Sequence, residues 1–228
     1  MTQPFRVPAA LRAVVKGSVC LAALSASLIA LPDPAEANWF SSGPSAATAQ
    51  AEGRWHKGPR GYHAMCAREP KLCMHDYQAA QNTGSSAPAR LDDARWDALD
   101  ALNRDINWQI RPVEDRGRDH WTKGVYQGDC EDYVIAKKQA LIAAGWSADQ
   151  LLYAVVEGVY SPYHLVLVVR TGQGDFVLDN LTDRIHAWED SGYTFVVRQS
   201  ADNPTQWAYV DGNGLQIAEA GRGGLATR

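Results

Sequence analysis

The chain has 228 residues, 46% hydrophobic and 21% charged, with a formal net charge of −4. That length and balance suit one globular domain with a real core. A mildly acidic chain lacks the electrostatic footprint that nucleic acid or anionic lipid requires, so recognition has to come from shape.

Arg6, Arg12 and Lys16 form a basic n-region, Val19 to Leu31 an apolar h-region, and Ala35-Glu36-Ala37 a small-x-small cleavage site. A signal peptide is therefore expected over residues 1–37, with a mature start at Asn38 and export from the cytoplasm. The apolar run is shorter than the roughly 20 residues of a membrane span, which disfavours an uncleaved anchor. No later segment is long and apolar enough to span a bilayer. Removing residues 1–37 takes away three basic and two acidic groups and moves the net charge from −4 to −5. Cys20 leaves with the signal, so Cys66, Cys73 and Cys130 remain in an oxidising compartment. Cys66 and Cys73 are the natural disulfide, which makes Cys130 the free thiol. The alternative is a zinc site of His63, Cys66, Cys73 and His75, against which the wide spacing of the two cysteines argues.

Residues 38–60 are rich in Ala, Ser, Gly and Pro and read as a flexible leader; Gln81 to Ala89 reads as a second loop. Together they mark 38–87 as a leader with a small stapled segment, set apart from a domain over 88–212. Leu91, Ala94, Ala98, Leu99, Leu102 and Ile106 recur at helical steps and predict a helix ending near Ile106–Trp108. Trp96, Trp108 and Tyr133 read as core. Residues 109–127 read as a long connection, a kind of segment that is often functional. An amphipathic helix follows from about Cys130 to Ala144. Asp129 is its N-cap, Asp132 lies in capping-box position, and Gly145 is the terminator. Strand-like runs then cover 151–157, 164–170, 175–179, 193–198 and 206–210, and 213–228 reads as a poorly ordered tail. Helices followed by consecutive strands predict an α+β domain with a mainly antiparallel sheet.

The turn Thr171-Gly172-Gln173-Gly174 fixes a register. A two- or four-residue loop centred there pairs residues whose numbers sum to 345, placing His164 and Asp179 on one face as diagonal neighbours. A three-residue loop would separate them. Cys130 stands at the first turn of its helix, where unsatisfied N–H groups and partial positive charge favour a thiolate and an oxyanion. Cys130, His164 and Asp179 are thus candidates for nucleophile, base and orienting acid. The plainer alternative is a buried cysteine, a satisfied core histidine and an ordinary strand-end aspartate. Trp121 either lines the cleft or packs in the core.

The stretch GDCEDYVIAKKQALIAAGW, then HLVLVVR, then DFVLDNL, resembles the bacterial transglutaminase-like cysteine peptidases over roughly residues 88–200. That family includes LapG-type periplasmic proteases, which clip large surface adhesins to release biofilm. The resemblance implies a papain/transglutaminase-like core, with the Cys helix packed on an antiparallel sheet. It also implies Cys130, His164 and Asp179 as the triad of a peptidase. As partners it implies an exported or surface-attached protein substrate and an inner-membrane regulatory receptor.

Asp129, Glu131 and Asp132 flank the cysteine. Their simple role is to complement the helix dipole, yet three carboxylates beside a nucleophilic thiol raise its pKa. A calcium ion, which takes hard oxygen ligands, would cancel that field. The LapG-type enzymes are calcium-dependent, so the resemblance implies Asp129 and Glu131 as ligands, and Asp132 less directly. Two other functions stay open: acyl transfer on glutamine side chains by a transglutaminase or amidase, and a non-catalytic calcium-responsive binding module.

Overall fold

The structure is a computed structural model describing residues 47–81, 86–116, 120–124, 126–158 and 163–210. The expected signal peptide and the tail lie outside these residues. All described residues fall in one of the two compact units of the chain, 42–228. None of the helices among them is long and apolar enough to cross a membrane.

In chain order the elements are β1 (Glu52–His56), α1 (Arg60–Arg68), α2 (Pro70–Gln81), α3 (Asp93–Gln109), β2 (Arg111–Pro112), β3 (Gln127–Gly128) and α4 (Cys130–Ala143). They continue with β4 (Leu151–Glu157), β5 (His164–Thr171), β6 (Gly174–Leu178), β7 (His186–Ala187), β8 (Thr194–Gln199) and β9 (Trp207–Val210). Seven strands form one sheet in the order β1-β9-β8-β4-β5-β6-β7, with every pairing antiparallel. The α+β class with helices packed on a large antiparallel sheet is therefore as expected, and agrees with a papain/transglutaminase-like core.

Alternation along β4 sends Leu151 and Tyr153 into the core shared with the helices, and Leu152, Ala154 and Val156 into a cluster on the opposite face. Burial on both faces explains why these strands read as continuous apolar runs. The β5–β6 hairpin pairs Leu167 with Leu178 and Thr171 with Gly174, so its residue numbers do sum to 345. Gly174 has φ 112°, and a Cβ there would collide with the Ala47 backbone.

α3 starts where Asp92 accepts the Arg95 N–H and extends to Gln109, beyond the expected end; Trp108 is 89% exposed rather than core. It sits off the stripe formed by Leu99, Asn103 and Ile106. α4 closes at Gly145 as expected, with the Trp146 and Gly145 N–H groups returning to Leu141 O and Ile142 O. It is buried on more than one side, and its buried residues include Lys137 and Lys138.

The N-terminal segment is not a separate lobe. Tyr62, Met65, Cys66, Leu72 and Cys73 join the main core beside Trp121, Tyr153 and Trp207. Lys138 Nζ lies 2.6 Å from Asp76 Oδ1, while Tyr62 and Gln199 donate to Asp76 Oδ2, tying α1, α2, α4 and β8 together. Part of the expected leader is also structured. Glu52–His56 forms the edge strand β1, and Arg198 donates to Gln50, Glu52 and Asp175. Burying one arginine and a row of backbone groups supplies the order that Ala, Ser and Gly composition does not suggest.

Candidate active site

The turn that ends β6 and the first residue of β5 set the acid and the base. His164 and Asp179 are both buried, with His164 Nε2 2.7 Å from Asp179 Oδ1. Asp179 Oδ2 accepts the Tyr193 hydroxyl at 2.5 Å, and Oδ1 also accepts the Leu181 N–H at 3.1 Å. Burial favours the neutral acid, but the His164 hydrogen bond and charge and the Tyr193 and Leu181 donors outweigh it and hold Asp179 below the usual carboxylate range. Burial and the Asp179 carboxylate push the Tyr193 hydroxyl upward. Asn107 of α3 donates to the carbonyls of Asp179 and Thr182 and to Asp183 Oδ1, so the loop after β6 is fastened to a helix.

Cys130 is half-buried at the first turn of α4 and is the free cysteine among the described residues. Cys66 and Cys73 form the expected disulfide, so neither thiolate is available to zinc. A cleft of about 740 Å³ is lined by Cys130 and His164 together with Trp121, Asp129, Glu131, Tyr163 and Leu181. Trp121 is buried and also lines the cleft. Burial, then the Glu131 charge and the thiol's hydrogen bond to Glu131 Oε2 at 3.1 Å, push the Cys130 thiol well up; a backbone hydrogen bond from Leu165 opposes them.

The acidic neighbours divide. Asp129 occupies the N-cap position but makes no side-chain cap. Its Oδ2 accepts the Asp115 N–H at 3.1 Å, while Oδ1 is buried without a hydrogen-bond partner. Oxygens of Asp115, Asp129 and Glu131 lie within 4.8 Å of one another. Asp132 faces elsewhere: its Oδ1 accepts the Thr122 N–H and hydroxyl, and a Cβ on Gly128 would collide with its carboxylate. Burial raises the pKa of both Asp129 and Asp132. Such a cluster of hard oxygen donors, with one buried acceptor unsatisfied, fits a calcium ion.

Sequence reasoning missed Asp115, Tyr193 and Asn107. The length of the 109–127 connection pointed toward the first of these; nothing local marked the other two. The connection is drawn to the Cys helix by a parallel pairing of β2 with β3.

The family model for bacterial transglutaminase-like cysteine proteinases matches residues 52–214, well over half of the chain. It reaches beyond the 88–200 resemblance to include the stapled helices. No curated protein matches. Among solved structures, calcium-bound LapG of Legionella pneumophila is 21% identical, with a TM-score of 0.44 over 60% of this chain and 78% of that one. The EGTA-treated form is 22% identical, with a TM-score of 0.42 over 57% and 73%. A third LapG structure is 22% identical, with a TM-score of 0.44 over 66% and 84%.

Proposed function

Because the chain belongs to the bacterial transglutaminase-like cysteine proteinase family, we propose that it is a periplasmic cysteine peptidase. Its substrate is an exported or surface-attached protein, an adhesin by the family resemblance. The observation that carries this reading is the buried His164–Asp179 pair, whose His164 lines a cleft together with Cys130, the free cysteine among the described residues, at a helix N-terminus.

His164 Nε2 is committed to Asp179, which leaves Nδ1 to take the Cys130 proton. The sulfur attacks the scissile carbonyl carbon, and the α4 N-terminus faces the charge that develops on oxygen. As the C–N bond breaks, the imidazolium returns its proton to the leaving amine and an acyl-enzyme remains. Water, deprotonated by His164, then adds to the thioester carbonyl; the C–S bond breaks, the carboxylate product leaves and the thiol is restored. Asp179 holds the imidazole ring and its tautomer throughout, and Tyr193 holds Asp179.

Asp115, Asp129 and Glu131 are the residues that would hold a calcium ion, with Asp132 bracing the loop behind them. When bound, it supplies positive charge that offsets the carboxylates now keeping the proton on sulfur. The experiment is alkylation of Cys130 by iodoacetamide at neutral pH in the presence of calcium. Labelling much faster than a model thiol, slowed in His164→Ala, supports the reading; labelling no faster than the model thiol sinks it. Incubation with a peptide library and an amine donor then separates backbone cleavage from amine incorporation, and loss of new termini in Cys130→Ala assigns the cleavage.

A further inference from the structure

The floor of the cleft is a row of residues that crosses four strands. Leu165 of β5 pairs with Val155 of β4, Val155 with Val197 of β8, and Val197 with Tyr209 of β9. All four line the cleft that holds Cys130 and His164. α4 packs on β5, so Cys130 stands at the Leu165 end of the row. A register shift thickens the row in its middle. Val155 and Val156 are adjacent on β4, yet they pair with Val197 and Phe195 on β8, so Val196 is the extra residue of a β-bulge. Phe195 packs in the cluster on the opposite face, whereas Val196 and Val197 both pack with the helix-side core and both line the cleft. Strict alternation would have sent one of the two valines away from it.

β1 closes the far end. Arg54 and His56, two residues apart and so on one face of that strand, both meet Tyr209. The imidazole lies edge-on to the phenol ring with centroids 5.3 Å apart, and the guanidinium carbon is 5.3 Å from the ring centroid. His56 Nδ1 accepts the Gly58 N–H at 2.9 Å, which holds the imidazole in turn. None of the floor residues is charged. The carboxylates of the cleft, Glu114, Asp129 and Glu131, come from the 109–127 connection and the start of α4.

We infer that the row from Val155 to Tyr209 is a substrate subsite for an aliphatic or aromatic side chain, with Val196 as its specificity-determining residue. The inference rests on the peptidase reading above and names a part of the substrate that the enzyme selects. The occupant is the flank of the polypeptide that Cys130 cleaves, because floor and nucleophile share one cleft. Strands lie about 4.8 Å apart, so Val197 is about 10 Å from Leu165, and Tyr209 about 14 Å. An extended chain covers about 3.3 Å per residue, which puts the selected side chain about three to four residues from the scissile bond.

The test incubates the full chain, with calcium present, with peptides from a digested proteome and sequences the new termini; Cys130→Ala supplies the blank. At the third or fourth position on one side of the cut, apolar side chains are favoured over acidic ones by about tenfold, the low end of what one methylene is worth in an apolar pocket. Val196→Lys turns the preference at that position toward acidic side chains and leaves the residues adjoining the cut as in the parent. A folded Val196→Lys with the parent's profile overturns the inference, as does a parent without the preference. Should Val196→Lys not fold, His56→Ala is used, since His56 is exposed. Releasing the Tyr209 ring weakens the preference by about threefold, and an unchanged profile overturns the inference equally. Absence of any Cys130-dependent terminus sinks the peptidase reading and this inference with it. Termini without the preference sink only the subsite.

Discussion

Three donors converge on Asp179: the His164 ring, the Tyr193 hydroxyl and the Leu181 N–H. An acid held below its unfolded pKa contributes stability that is fully present above pH of about 4 and is lost as pH falls through the folded value. Tyr193→Phe removes one donor, so the folded value moves up and the contribution shrinks. Urea unfolding at pH 7 should show a loss of about 1 kcal/mol. At pH 3 the difference between the two chains narrows, because the parent is then losing the same contribution. A difference that is constant with pH would mean that Tyr193 acts by packing alone. The sequence placed Tyr193 at the head of a strand, but nothing local says that its hydroxyl reaches a carboxylate 14 residues earlier. The same holds for Asp129, whose sequence position promised a helix cap. In the fold, Asp115 N–H competes for its side chain and wins.

The hairpin of α1 and α2 and the chain leading to Cys130 are coupled elements. Arg68 at the end of α1 donates to the Trp121 carbonyl at 2.7 Å, and Asp132 on α4 holds Thr122. The loop before the nucleophile is thus held from both sides, and the disulfide closes the hairpin that carries Arg68. The Cys66→Ala, Cys73→Ala double variant should lose about 2 kcal/mol, the closure entropy of so short a loop. Its thermal midpoint should fall, a reductant should lower the wild-type midpoint in the same way, and the double variant should not respond to it. The pairing was legible because Cys-x6-Cys is local. That the hairpin belongs to the main core was not, because the partners of Tyr62 and Met65 come from far along the chain. β1 was missed for a related reason: an edge strand with three of its five residues exposed looks like a leader until β9 lies beside it.

At the scale of the whole molecule, the proposed calcium site joins a long connection to the start of α4, so an ion there would bind the folded chain and not the unfolded one. Added calcium should therefore raise the thermal midpoint, by an amount equivalent to about 2.7 kcal/mol at a hundredfold excess over Kd. Asp129→Asn should remove most of that rise, and chelator should reverse it. A midpoint indifferent to both calcium and chelator would leave the carboxylates as a plain acidic cluster. By itself the sequence determined the class of fold, five of the seven strands of the sheet (β4, β5, β6, β8 and β9), the β5–β6 register and the meeting of His164 with Asp179. Those features follow from hydrophobic periodicity and from a two-residue turn, both of which act over a few residues. Only the tertiary structure decided that Asp115 joins Asp129 and Glu131, that Asp132 braces a loop, and that Lys137 is buried. Each of these depends on side chains brought together from distant segments, where burial removes water and leaves a charge with no partner but the one the fold provides.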